Sequence, residues 1–144
     1  MSGEVWFITG ASRGFGRLWA EAALKRGDKV AATARSRANL ADLAAHYGAA
    51  VLPLTLDVTD PDEVRNAVAE AHTHFGRFDI VINNAGYALV SAIEVASEAE
   101  VQQEFDMNFF DALCMIQAAL PYLRQQGSDH ILGVSSVAVP REVS

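Results

Sequence analysis

Cysteine is nearly absent from this chain: its 144 residues hold one, Cys114, so no internal disulfide can form, which suits a reducing compartment. Lysine is nearly absent too, with only Lys25 and Lys29 and none after them. Eleven basic residues stand against 18 acidic ones, for a net charge of −7. That balance disfavours nucleic acid as a main partner, because phosphate binding needs clustered Lys and Arg. No apolar run is long enough to cross a membrane, and residues 1–10 lack the basic start and long apolar stretch of a secretory leader. The expected location is the cytoplasm. No internal repeat, low-complexity tract or interdomain linker is visible.

What the chain does have is apolar residues, 51% of the total against 20% charged, enough for a sizeable core and too many for disorder. The length predicts one domain. Strands are expected over 4–9, 29–34, 50–57, 79–83 and 130–135, and helices over 14–26, 38–47, 61–75 and 98–125. The strand segments are rich in Val, Ile and Leu with no clean polar alternation, as in a parallel sheet covered on both faces. The alternation of the two element types predicts a Rossmann-type, doubly wound α/β fold with three layers. Ligands in such folds sit at the carboxyl ends of the strands.

The most informative segment lies at the first of those ends: Thr9-Gly10-Ala11-Ser12-Arg13-Gly14-Phe15-Gly16. It joins the apolar run Val5-Trp6-Phe7-Ile8 to an amphipathic stretch. A glycine turn there places bare N–H groups at the positive end of a helix dipole, which suits a pyrophosphate. Glycine also lets the phosphates approach closely.

Two other helix starts carry capping signals. Asp60-Pro61-Asp62-Glu63 offers an N-cap, a first-turn proline and an acid three residues on, and Ser97-Glu98-Ala99-Glu100 reads as a capping box. In the last helix, Val101, Phe105, Asn108, Phe109, Ala112 and Ile116 recur at helical spacing, which predicts an apolar face interrupted only by Asn108. Pro121 is expected to kink or end that helix. His72 and His74 point apart on a helix and predict a solvated face, not a metal site. Cys114 is expected in the core.

From about Val5 to Ala138 the chain resembles the short-chain dehydrogenase/reductase family. Four motifs carry the resemblance: Thr9-Gly10-x-x-x-Gly14-x-Gly16, Asp57-Val58, Asn83-Asn84-Ala85-Gly86, and Ser135-Ser136 closing the fifth strand. Asn108 falls where that family places an active-site asparagine. The resemblance implies that Gly10, Ser12, Arg13, Gly14 and Gly16 hold the cofactor's phosphates, that Asp57 and Val58 meet its adenine, and that Asn84, Ala85 and Gly86 admit its ribose. It implies that Ser136 orients the substrate oxygen and that Asn108 shapes a helix break and holds a water of a proton relay. Tyr87 would line the nicotinamide side. Asp111 stands where family members more often carry a small residue. Arg35 ends the second strand, where an acid would bind the ribose hydroxyls of NAD. With no acid there, Arg35 and Arg13 can instead form charge-assisted contacts to a 2′-phosphate, which favours NADP over NAD.

The family's chemistry needs a tyrosine with a lysine four residues later. Tyr47, Tyr87 and Tyr122 are followed at that spacing by Val51, Ser91 and Gln126. By the family's measure the domain, residues 1–144, is incomplete at its carboxyl end. Two readings follow. One is the front part of an NADP-dependent oxidoreductase acting on a small carbonyl compound or secondary alcohol. The other is a non-catalytic NADP-binding or interaction module, or an inactive fragment. The resemblance also implies a homo-oligomer built through the long helix around Asn108.

Overall fold

The computed structural model describes residues 3–84, 94–127 and 130–133. Five strands form one sheet: β1 (Val5–Ile8), β2 (Lys29–Ala34), β3 (Val51–Thr55), β4 (Ile80–Asn83) and β5 (His130–Gly133). Their order is β3-β2-β1-β4-β5, and every pairing is parallel. The helices are α1 (Gly14–Lys25), α2 (Ala41–Tyr47), α3 (Pro61–Phe75), α4 (Glu98–Phe105) and α5 (Asp111–Gln126). Strands β1, β3 and β4 fall inside the expected ranges 4–9, 50–57 and 79–83 and are each one to three residues shorter.

Successive side chains of a strand face opposite sides, and the sheet splits its core accordingly. Val5, Phe7, Leu54 and Val81 pack with Val64 and Val68 of α3 and Met115, Ala119 and Leu123 of α5. Ile8, Val30, Ala32 and Ile82 pack with Ala20 and Ala23 of α1 and Leu43 of α2. This is the three-layer arrangement that the strand composition predicts. Phe7 and Phe78 meet edge to face at 5.8 Å, both buried, and burying each such ring contributes roughly 1.5–3 kcal/mol. Pro53 sits inside β3, which is tolerated because β3 pairs only with β2 and so lies at an edge.

The long last helix departs from expectation in three ways. It is not one continuous α-helix over 98–125, because a π-helical turn over Asp106–Phe110 separates α4 from α5 and contains Asn108. It does not end at Pro121, which lies inside α5; the helix runs on to Gln126 and closes at Gly127, which has φ +87°. The proline removes one N–H from the ladder, but Tyr122 and Leu123 on the next turn still pack on the core beside α3. Nor is the expected apolar stripe the core face. Of that stripe Val101 and Phe109 are exposed and Ala112 and Ile116 half-buried, while the buried residues of α5 are Met115, Ala119 and Leu123, which lie off it. The π turn adds a residue to the helical repeat and rotates the face.

One smaller correction concerns a side chain. His72 is half-buried and not simply solvated: its ring packs against Tyr122 at 4.3 Å and Phe78 at 5.6 Å, whereas His74 is exposed. Cys114 is half-buried and packs on the α3/α5 side of the core, as expected. Asp111 is half-buried, and its Oδ2 is covered with no hydrogen-bond partner. Burial, then the charges of Asp106 and Asp57, push its carboxyl above the usual range.

Candidate cofactor site

The carboxyl ends of β1, β2 and β4 open onto a cleft of about 950 Å³, at the upper end of the range for pockets that take small molecules and cofactors. The turn after β1 forms its floor and is tied down from both sides. The Ala11 N–H donates to the Thr33 carbonyl at 2.9 Å, and the Thr9 N–H donates to the Ile82 carbonyl at 3.1 Å. Thr9 Oγ1 accepts from the Asn84 N–H at 2.9 Å, and Asn84 Nδ2 donates to the Gly10 carbonyl at 3.2 Å. Asn83 Oδ1 lies 3.4 Å from Thr9 Oγ1 and accepts its hydroxyl. The two asparagines after β4 therefore fasten the glycine turn in place.

That fastening explains two of the glycines. Gly14 opens α1 with φ +62°, which side-chain-bearing residues rarely adopt. Gly16 is buried beneath the turn, where an added Cβ would lie 2.5 Å from Asn84 Nδ2 and 2.9 Å from the Gly10 carbonyl carbon. The backbone cradle closes only because that Cβ is missing. Helix α1 has no side-chain N-cap bond from Arg13 and no acid in its first turn. Its first N–H groups are thus left to the cleft, in the manner of an anion-binding helix start.

Of the residues singled out from the sequence, Gly10, Ser12, Arg13, Gly14, Arg35, Val58 and Asn84 line the cleft together. Gly16 lies underneath. Asp57 stands just before Val58 and is held by its own turn: Oδ1 accepts from the Thr59 hydroxyl at 2.6 Å and from the Thr59 N–H at 2.9 Å. Those bonds, and more weakly the charge of Arg35, hold its carboxyl below the usual range. Asn108 is placed in the π turn. Ala85, Gly86, Tyr87, Ser135 and Ser136 lie outside the described residues.

Sequence reasoning missed the role of one motif residue and two further lining residues. Thr9 is the anchor for Asn84. Arg17 and Asp42 also line the cleft and pair with each other across α1 and α2, from Nη1 to Oδ1 at 3.2 Å and from Nη2 to Oδ2 at 2.7 Å. Arg17 Nε donates to Glu21 Oε1 at 2.8 Å. The hydrogen bonds to Asp42 and Glu21 hold the Arg17 guanidinium's pKa well above its ordinary value, and Arg17 in turn pulls the Asp42 carboxyl down. The Arg17–Glu21 spacing of four was legible on a helix; the Asp42 partner, 25 residues away, was not. Among the described residues no group of three or more His, Cys, Asp or Glu is placed to hold a metal. Among them too, no helix is long and apolar enough to cross a membrane.

A parallel sheet in the order β3-β2-β1-β4-β5, with a glycine turn at the carboxyl end of its central strand, defines a Rossmann-type α/β protein. The chain belongs to the short-chain dehydrogenase family, whose model matches residues 4–143. These oxidoreductases use NAD(P) nucleotides as cofactors. The chain is 47% identical over 135 residues to oxidoreductase BOA17 of Botryotinia fuckeliana, covering 93% of this chain and 49% of that protein. It is 36% identical to 3-ketodihydrosphingosine reductase of Bacteroides thetaiotaomicron, covering 95% of this chain and 48% of that one. Among solved structures, a short-chain dehydrogenase from Streptomyces avermitilis superposes with a TM-score of 0.90 at 40% identity, over 94% of this chain and 50% of that one. A 3-ketoacyl-(acyl-carrier-protein) reductase from Brucella melitensis, solved with NADH, superposes with a TM-score of 0.87 at 31% identity, over 94% of this chain and 57% of that one. The chain spans about half the length of the curated relatives it matches.

Proposed function

We propose that these 144 residues form one NADP-binding unit of an oxidoreductase that moves a hydride between the nicotinamide and a small carbonyl compound or secondary alcohol. The observation that carries the cofactor choice is the charge on the cleft wall. Arg13 and Arg35 line it, both exposed and both without a hydrogen-bond or ion-pair partner among the described residues. No carboxylate stands at the end of β2 to bind the ribose hydroxyls of NAD. Among the described residues the one acid lining the cleft, Asp42, is occupied by Arg17.

The cradle fits a dinucleotide. The open start of α1, with Ser12 and the glycines, would hold the pyrophosphate, with Gly16 allowing the turn to close against Asn84. Arg13 and Arg35 would take the 2′-phosphate, Asp57 and Val58 the adenine, and Asn84, Ala85 and Gly86 the ribose beyond it. The bound cofactor supplies the hydride carrier. Asn108, in the π turn, would hold a water of the proton relay, and Ser136 would orient the substrate oxygen. No Tyr-x-x-x-Lys occurs in these residues to pass the proton, since none of the three tyrosines has a lysine four positions on. That same lack favours a second reading, a non-catalytic NADP-binding or interaction module or an inactive fragment, with the same cleft and no turnover. A reducing, cytoplasmic location fits the single half-buried cysteine. The exposed Phe109, Phe110 and Leu113 fit a second copy docking at the long helix.

Calorimetric titration with NADPH and NADH tests the cofactor reading. NADPH is expected to bind about tenfold tighter or more, with Arg35→Ala removing most of the difference. Equal or tighter binding of NADH overturns it. Turnover of a carbonyl panel by the protein, with cofactor binding intact, separates the enzyme from the binding module.

A further inference from the structure

Among the described residues three arginines line the cleft, and they are not equivalent. Arg13 and Arg35 are exposed on its wall, without a partner among the described residues. Arg17 lies one helical turn beyond Arg13 and is engaged on three nitrogens, by Glu21 at 2.8 Å and by both oxygens of Asp42 at 3.2 and 2.7 Å. The side chain of Arg17 is 21% exposed and that of Asp42 is 71% exposed, so the pair is closed from the solvent side by an accessible carboxylate. Asp42 enters from the first turn of α2, the segment that follows Arg35 after β2. One stretch of chain therefore brings both a cation for the anion subsite and an acid that occupies another cleft-lining cation.

We infer that Asp42 tunes discrimination for the 2′-phosphate by holding Arg17 away from it. This rests on the NADP reading of the same cleft. A guanidinium shared between two carboxylates offers no net positive charge, and a phosphate could recruit it only by breaking a two-bond fork. With Asp42 neutralised, Arg17 keeps its bond to Glu21 and turns its remaining donors into the cleft, adding a third cationic contact. The pair thus sets the strength of NADP binding below what three free arginines would give.

The test uses 2′,5′-ADP and 5′-AMP, which differ only in the 2′-phosphate, titrated calorimetrically into the 144-residue chain near physiological salt. The ratio of the two affinities corrects for any loss of folded protein. Asp42→Asn is expected to raise the ratio roughly tenfold. Arg17→Gln is expected to change the ratio less than about threefold alone, and about tenfold or more on top of Asp42→Asn. A ratio unchanged by Asp42→Asn overturns the inference while leaving the NADP reading standing. An equal effect of Arg17→Gln in both backgrounds also overturns it, because it shows a field effect and not a released contact. No preference for 2′,5′-ADP in the unmodified chain overturns the NADP reading itself, and the inference with it.

Discussion

Helices α1 and α3 both begin at the carboxyl edge of the same sheet, yet their first turns are built in opposite ways. Helix α3 is closed off. Asp60 Oδ1 accepts from the N–H groups of Asp62 at 3.0 Å and Glu63 at 3.4 Å, Pro61 removes one donor, and Asp62 and Glu63 add negative charge against the dipole. Helix α1 has an arginine at the N-cap, no side-chain cap bond and no acid in its first turn. One start is satisfied by its own chain, and the other leaves its first N–H groups open to the cleft. The difference lies in which positions hold acids and which hold glycine, and it separates a capped helix end from an open one.

The largest way to break the contrast is to fill the space under the α1 turn. Gly16→Val places methyl groups against the Gly10 carbonyl and the Asn84 amide. It is expected to destabilise the fold by about 1–3 kcal/mol, as overpacking does, and to abolish NADPH binding. Urea unfolding with calorimetry reads both, and unchanged binding would show that the turn is not the cradle.

A second substitution converts one start into the other. Arg13→Asp gives α1 the cap that α3 already has, at a position whose backbone is extended as a cap requires. It should stabilise the fold by about 0.5–1 kcal/mol. It should also weaken NADPH roughly a hundredfold by replacing attraction with repulsion and occupying the helix N–H groups. Gains in both stability and affinity would contradict the contrast.

The reverse change at α3 should touch stability alone. Asp60→Ala is expected to cost about 1 kcal/mol and to move the Kd for NADPH less than twofold. A large loss of affinity would mean that α3 also faces the cofactor.

The smallest effect is a pH dependence at the turn that leads into α3. Asp57 is held below the usual carboxylate range, first by the Thr59 hydroxyl, then by the Thr59 N–H, and weakly by Arg35. A depressed native value means that its contribution is present above the unfolded-state pKa of about 4 and fades as pH falls through the native one. Asp57→Asn should therefore be less stable than the parent at neutral pH, with the gap closing in acid. Urea midpoints measured from neutral to acid pH test this, and a gap independent of pH would contradict it.

Much of this was legible in advance. The sheet followed from apolar runs without alternation, the α1 turn from its three glycines, and the caps of α3 and α4 from their residue types at fixed offsets. These are local signals, set by the backbone needs of a few adjacent residues. The last helix was misread because periodicity was projected straight through 98–125. A π turn at Asp106–Phe110 shifts the repeat, and nothing local to Phe109 says whether it faces the core or solvent. Pro121 was expected on propensity to kink or end the helix; it does not end it, because α5 packs on α3 on both sides of it and runs through.

The sequence by itself determined the alternating elements, the glycine cradle, the missing acid after β2 and the absence of any Tyr-x-x-x-Lys within these residues. Each is a property of neighbouring positions and needs no partner from elsewhere. Only the tertiary structure decided that Asn84 grips the Gly10 carbonyl, that His72 packs against Tyr122, and that, among the described residues, Arg17 is paired while Arg13 and Arg35 are not. Asp42 is 25 residues from Arg17 and Asn84 is 74 from Gly10. Contacts over such separations form only after parallel strands stack α1 beside α2 and bring the ends of β1 and β4 together.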